Sequence, residues 1–234
     1  MLDEAFATLK QYDWGSDTAP LAPIEDAVVA SHDQADVRRD LEDRLIAALQ
    51  SDISRDAKEY VCRKLAIAGT AASAPALASL LGEKDYSHMA RMALERMPAP
   101  EAAQALRDAA GKVNNELRIG VIGSLGSRRD AAAVSVLSVL LADGDPSVAR
   151  AAALALGAIG SGEAASVLKV AATSAAGNKP AVIDALLACA EALLAGQKRT
   201  DALAIYRSLA TDNQARLVRL AATRGILACT SKQS

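Results

Sequence analysis

The residue types that do chemistry are few in this sequence and poorly placed for it. There are two histidines, His32 and His88, and three cysteines, Cys62, Cys189 and Cys229. Nucleophilic catalysis needs a base beside the nucleophile. His32 lies in a polar linker, Ser31-His32-Asp33, and His88 opens a helical pattern; neither has a serine or cysteine paired with it. Each cysteine sits inside an apolar helical pattern. Their odd number, without CxxC spacing, argues against a disulfide framework or a zinc site, so buried free thiols are expected. Carboxylates pair at Glu25-Asp26, Glu42-Asp43 and Asp143/Asp145. The first two fall among Arg38, Arg39 and Arg44, where charges three or four apart pair along a helix surface; the third marks a helix start, where negative charge is favoured. A metal site would want more converging ligands. The run Gly157-Ala158-Ile159-Gly160-Ser161-Gly162 has neither the preceding strand nor the spacing of a phosphate loop, and its glycines read as a helix–helix turn. No catalytic residue, metal site, cofactor or small-molecule ligand is expected.

The elements that carry these residues are helices. The chain has 234 residues, 51% of them hydrophobic but only 3% aromatic. Its core must therefore be built from Ala, Leu, Val and Ile, and small side chains favour closely packed helices over sheets. Net charge is −2, unevenly spread: residues 1–60 hold 14 acidic and 6 basic side chains, residues 61–234 hold 14 and 20. A lopsided charge of this kind can steer partners or order subunits head to tail, and it is also what ordinary surface scatter gives. No apolar run reaches about 18 residues, so no membrane span is expected. Met1-Leu2-Asp3-Glu4 is no signal peptide, which makes a soluble, cytoplasmic chain the default expectation.

Internal repetition is the strongest signal. Around Asp145-Pro146, moving back by one repeat places Leu117 on Val148, Leu125-Gly126 on Leu156-Gly157 and Val136-Leu137 on Val167-Leu168. Moving back by three repeats places Leu65, Gly69 and Leu77 on Leu156, Gly160 and Leu168. A shorter unit from Tyr86 to about Asn114 lies between, with Met89, Met97 and Leu106 at its apolar positions. Each unit reads as two helices. Asp145 before Pro146 is a helix start, the carboxylate capping and the proline suiting the first helical position; Pro100 and Pro180 read alike. The pattern predicts helices near 2–13, 21–31, 34–50, 54–68, 72–82, 87–97, 100–110, 115–126, 130–141, 146–159, 163–175, 180–195, 199–210 and 213–228, with no strand and a frayed end at 230–234. Residues 1–53 fit the period poorly and read as an irregular helical cap on an array spanning 54–234.

The unit at residues 143–160, Asp-x-Asp-Pro-x-Val-x-Arg-x-Ala-Ala-x-Ala-Leu-Gly-x-Ile-Gly, resembles HEAT repeats, in the short bacterial kind also found in phycobilisome lyase proteins. The resemblance is specific at 143–168, good at 115–141 and weaker at 54–81 and 86–110. It implies an all-α, α-α superhelix, an α-solenoid of helical hairpins whose second helices line a concave groove, and protein–protein contact rather than catalysis. Residues 188–209, with Ala188, Leu193, Gly196, Ala202-Leu203, Tyr206 and Leu209, look more like a tetratricopeptide hairpin, so the last hairpin, near 180–210, departs from the pattern.

Within such an array Arg91, Arg150 and Arg219 occupy similar places in first helices, with Ile119 in the third unit and Arg118 beside it. They are expected to form a ladder with acidic residues of neighbouring units; an exposed basic stripe is the alternative. On the second helices Arg107, Ser138 and Lys169 each follow a core leucine and should point off the core, toward the groove or its rim, with Arg207 extending the row. Arg107, Lys169 and Arg207 are therefore the candidate partner-binding residues, a cationic strip able to receive an acidic protein or peptide segment; a merely solvated helix face fits the same spacing. The expected function is a non-enzymatic protein-interaction scaffold. One alternative is a lyase- or chaperone-like accessory factor, although no aromatic and polar pocket accompanies it. Another is a nucleic-acid-binding solenoid: residues 198–234 hold seven basic and two acidic side chains, but Tyr206 alone stands there to stack on a base.

Overall fold

Two rows of leucines fix the hairpins. Leu65, Leu94, Leu125 and Leu156 recur at a nearly constant spacing, and Leu77, Leu106, Leu137 and Leu168 recur in step with them; all eight are fully buried. The first row belongs to the first helix of each hairpin and the second row to its partner. Burying each leucine contributes roughly 1.5–3 kcal/mol, and a hairpin obtains that burial only by stacking on its neighbours.

A computed structural model describes residues 1–173 and 179–231, and among these it has fourteen α-helices and no strand. The chain is all-α, of the α-solenoid type, and divides into two compact units, Met1–Ser124 and Leu125–Ser234. The first unit begins with α1 (Leu2–Leu9), α2 (Ala22–Ala30) and α3 (Ala35–Leu49), followed by α4 (Arg55–Ala68), α5 (Ala74–Ser79), α6 (Ser87–Arg96) and α7 (Pro100–Ala110). Here α3 packs on α4, first helix α4 on first helix α6, and second helix α5 on second helix α7. The division between units falls within α8 (Asn115–Ser127). The second unit continues with α9 (Val134–Leu140), α10 (Pro146–Ile159), α11 (Gly162–Thr173), α12 (Lys179–Ala195), α13 (Arg199–Leu209) and α14 (Arg216–Thr230). In it α10 packs on α12, and α11 and α13 both pack on α12.

Several boundaries differ from expectation for local reasons. Helix α1 ends at Leu9 and not at 13, because the next residues turn: Ser16 N–H donates to the Asp13 carbonyl at 3.0 Å, Gly15 takes φ +78°, and the Tyr12 carbonyl accepts from Ser54 Oγ at 2.6 Å. Second helices α5 and α9 start late because each opens with a single 3-10 turn, Ala71–Ser73 or Ala131–Ala133, capped by Thr70 or Asp130. Helix α10 starts as read, with the Asp145 carboxylate accepting from Ser147 N at 2.8 Å and Pro146 at the first position. The last two residues of the helix expected at 163–175, and residues 232–234 of the expected frayed end, lie outside the described residues.

The glycine reading needs a correction. Gly157 is no turn residue: it lies inside α10, buried, where a Cβ would fall 2.9 Å from the Ala185 Cα of α12. Gly126 in α8 meets Ala155 of α10 in the same way, again at 2.9 Å. The two positions are one repeat apart, so glycine is the repeat's means of bringing consecutive first helices into backbone contact. The helix stop is Gly160, at φ +64° in the left-handed region that glycine tolerates.

Candidate functional site

The second helices present the surface that sequence reading singled out. In the first unit α5 and α7 leave a groove of about 580 Å³. Its floor is small and apolar, with Ala74, Ala78, Ala105 and Ala109, and its rim carries Glu101, Gln104, Asp108 and Lys112. Alanine at the floor positions is what makes the groove, since a larger residue would fill it. Arg107 does not line it. It is half-buried beside the rim and donates from Nη2 to Gln104 Oε1 at 2.7 Å, while Gln104 Nε2 donates to Asp108 Oδ1 at 2.6 Å. The cation is thus the first link of a hydrogen-bonded chain ending on a carboxylate, and the groove itself meets two carboxylates and one ammonium.

The second unit repeats these positions with different chemistry. Counting from the buried leucines, Gln104 and Asp108 correspond to Ser135 and Val139 on α9 and to Ser166 and Val170 on α11. Val139 is 71% exposed and Val170 73%, close to one another at equivalent positions of two repeats. Beside them Ser138 and Lys169 are half-buried, and Arg207 is exposed in the last turn of α13. Lys169 and Arg207 therefore share one unit, and Arg107 belongs to the other. The two valines carry no charge, so the spacing of charged residues does not point to them. The available signal was an apolar residue out of phase with its own helix's core face, recurring one repeat later.

The arginine ladder takes another form than expected. Arg91 of α6 reaches within the first unit to α8, donating to the Gly120 carbonyl at 3.0 Å and Ser124 Oγ at 3.3 Å. Gly120 makes the room, for a Cβ there would lie 2.6 Å from the guanidinium carbon. No carboxylate takes part in these bonds. Arg219 pairs with Asp212, just before its own helix, at 2.9 Å, and Arg150 is exposed.

Two of the cysteines are held in settings that disfavour the thiolate. All three cysteines are free and buried. Burial pushes the Cys62 thiol up to about 12 and that of Cys189 up to about 11, far from the thiolate that nucleophilic work requires. Cys189 Sγ lies 3.5 Å from the Leu156 carbonyl, at the close approach of α10 and α12. His88 Nδ1 contacts Arg91 Nη2 at 3.2 Å. Among the described residues no group of three or more His, Cys, Asp or Glu side chains is placed to hold a metal, and no helix is long and apolar enough to cross a membrane.

Comparison with known proteins places the repeats. No curated protein matches the sequence. Among solved structures, the archaeal HEAT-like repeats protein from Thermococcus onnurineus NA1 is 14% identical over 98% of this chain and 97% of its own, with a TM-score of 0.51. An engineered protein solved by the Northeast Structural Genomics Consortium is 18% identical over 96% of this chain and 68% of its own, with a TM-score of 0.45. Human deoxyhypusine hydroxylase, in complex with glycerol, is 16% identical over 97% and 95%, with a TM-score of 0.41. The archaeal likeness extends to the fold alone. The family model for HEAT repeats matches residues 110–186, the stretch holding Gly126, Val139, Gly157 and Val170.

Proposed function

We propose that the chain is a non-enzymatic interaction scaffold that receives a protein or peptide segment along its second helices, with residues 1–53 capping an array of 54–234. The observation that carries this reading is the pair of exposed valines, Val139 and Val170, at the same repeat position in α9 and α11. Apolar side chains repeated on an open helix face gain by being covered, and the neighbouring serines offer hydroxyls for a backbone to pair with. Lys169 and Arg207 make this part of the surface cationic, which favours a segment carrying acidic as well as small apolar side chains. Arg107 is proposed as a contact on the first unit's own second-helix surface, where Asp108 and Glu101 would select a more polar segment.

The test is affinity capture of partners from source cells, repeated with three variants. Val170→Arg should abolish capture of a groove ligand, and Arg107→Glu/Lys169→Glu/Arg207→Glu should weaken it about tenfold or more, the range of one or two lost charge pairs. Unchanged helicity by circular dichroism is the control. A partner retained equally by all of these and by the groove-filling Ala105→Arg sinks the second-helix reading.

A further inference from the structure

A second surface lies on the first helices of the first unit. Between α4 and α6 the chain leaves a groove of about 430 Å³ whose apolar lining includes Ile67, Met89 and Met92. Ile67 is 49% exposed and Met92 39%. Cations ring it: Arg55, Arg63 and Arg96 border the opening, with Lys64, which is bound to Glu25 at 2.5 Å. Among the described residues Glu59 is the one carboxylate in the lining; Arg55 lies 3.8 Å from it and 3.7 Å from Asp56, and Arg63 lies 3.4 Å from it, so the four cations meet three carboxylates, Glu25, Asp56 and Glu59, and keep a small excess of positive charge.

The same unit carries a feature of opposite chemistry. Trp14, the only tryptophan in the chain, is 88% exposed. It is displayed at the tip of a tight turn closed by the bond from Ser16 N–H to the Asp13 carbonyl at 3.0 Å, with Gly15 in the left-handed region. The Asp13 carboxylate accepts from Trp14 N at 2.8 Å and that of Asp17 from Ala19 N at 3.0 Å, so the turn is held and the ring is presented at little cost in chain entropy. Aspartates flank the ring on both sides, and the stretch 1–36 carries eight acidic side chains against one basic, Lys10.

We propose that two copies of this chain associate by seating the Trp14 turn of one in the α4–α6 groove of the other. The indole gains contact with the methionine thioethers, which pack well against aromatic edges, and with guanidinium groups over its face. Asp13 and Asp17 meet the arginines that border the groove. Each copy holds both a turn and a groove, so one pairing can be matched by its reciprocal, as self-complementary dimer contacts require. Tryptophan and arginine are also the side chains on which binding energy concentrates. The occupant is identified by complementarity on both sides: an acidic turn with one large aromatic ring, and a cationic groove with a soft apolar floor.

Because Trp14 is the only tryptophan, its fluorescence reports on this contact directly. The experiment is a dilution series of the full chain, read in parallel by sedimentation and by tryptophan emission, at low and at high salt. The expected result is a rise in mass with concentration, accompanied by a blue shift of the emission, with both reduced by salt. Trp14→Ala should weaken association by at least about 30-fold, the loss of a hot-spot side chain, and Met92→Glu should abolish the blue shift. Asp13→Arg/Asp17→Arg and Arg55→Glu/Arg96→Glu should each fail to self-associate, yet associate when mixed. A chain that stays monomeric to millimolar concentration overturns the proposal. So does a rise in mass without an emission shift, which would place the contact elsewhere, and so does an emission that is blue-shifted at every dilution, which would mean that the turn occupies its own groove.

Discussion

The two units differ in the contacts that glycine makes between their helices. In the first, long-range polar side-chain bonds tie successive helices. From α3, Arg38 donates to the Ala68 and Gly69 carbonyls at the end of α4, and the buried Glu42 accepts from Thr70 N, Thr70 Oγ1 and Ser73 Oγ. Glu25 of α2 binds Tyr60 and Lys64 of α4, and Arg91 reaches Gly120 and Ser124. In the second unit such a tie also occurs, from Arg199 to the Ser231 carbonyl at 3.0 Å, and glycine contacts join it: Gly126 on Ala155, Gly157 on Ala185, Gly160 on Ala192 and Gly225 against the Tyr206 ring. A polar tie leaves helices apart and bridges the gap with side chains whose donors and acceptors must all be matched. A glycine contact removes the gap and needs only that nothing larger be placed there. Substitution should therefore fail in opposite ways in the two units.

The largest expected effect is steric. Gly157→Val places a branched side chain where the Ala185 backbone already lies, and backbone cannot swing aside as a side chain can. A loss of about 3 kcal/mol in folding stability is expected, measured by urea denaturation, with hydrogen exchange locating the loss in α10 and α12. Gly123 is the control. It lies in α8, exposed and with nothing near its Cβ position, so Gly123→Ala should stabilise by about 0.5–1 kcal/mol through helix propensity. Equal effects at the two glycines would remove the distinction between contact and composition.

Next comes the polar counterpart. Glu42→Ala leaves the Thr70 N–H and the Ser73 hydroxyl without their acceptor in a buried place, and Ser73 is itself fully buried. Each unsatisfied group costs about 1–3 kcal/mol, and a total loss of about 2–3 kcal/mol is expected in the same denaturation experiment. Glu42→Gln keeps an acceptor and should recover about half. If Glu42→Ala proves neutral, the first unit is held by its leucines alone.

A smaller effect tests whether the two means can be exchanged. Gly120 sits in the first unit yet makes room for a side chain, that of Arg91, rather than for backbone. Gly120→Ala displaces only the guanidinium, whose Nε already has no acceptor among the described residues. About 1 kcal/mol is expected, less than half the cost of Gly157→Val, because the end of an arginine can move and lost bonds can pass to water. A loss as large as at Gly157 would show that Arg91 is as immovable as a helix backbone.

These contrasts also explain what the sequence disclosed. The leucine rows, the Asp145-Pro146 start and the Pro100 start are local or periodic, and each predicts its element without knowledge of the rest. The polar ties of the first unit join residues far apart along the chain in a region where the period is weak, so nothing in the spacing pairs Glu42 with Thr70 or Glu25 with Tyr60. Gly157 was legible as special but not as a contact, since a turn glycine and a contact glycine look alike until the neighbouring helix is in place. On the candidate surface the second-helix register was legible from Leu106, Leu137 and Leu168. Which side chains faced outward was not, because Arg107 turns aside to Gln104 and the valines carry no charge to draw attention.

The smallest effect is the pH dependence of a polar tie, which a glycine contact lacks. Burial raises the pKa of Glu25, but hydrogen bonds from Lys64 and Tyr60, with the Lys64 charge beside it, outweigh this and leave it below the ordinary glutamate value. A carboxylate whose folded value is depressed stabilises the fold above its unfolded pKa and loses that contribution as pH falls through the folded value. The tie between α2 and α4 should therefore hold at neutral pH and weaken below about 4.5, near the unfolded value. Glu25 is half-exposed and its partnership is screened by solvent, so the contribution is under about 1 kcal/mol. Urea midpoints of wild type and Glu25→Gln at pH 6.5 and pH 3.5 measure it, since other carboxylates titrate alike in both proteins. The gap between the two midpoints should close at the lower pH, and a gap of equal size at both would show that the Glu25 charge contributes nothing to the tie. The corresponding comparison for Gly157→Val should show a gap that pH does not change, because packing carries no proton.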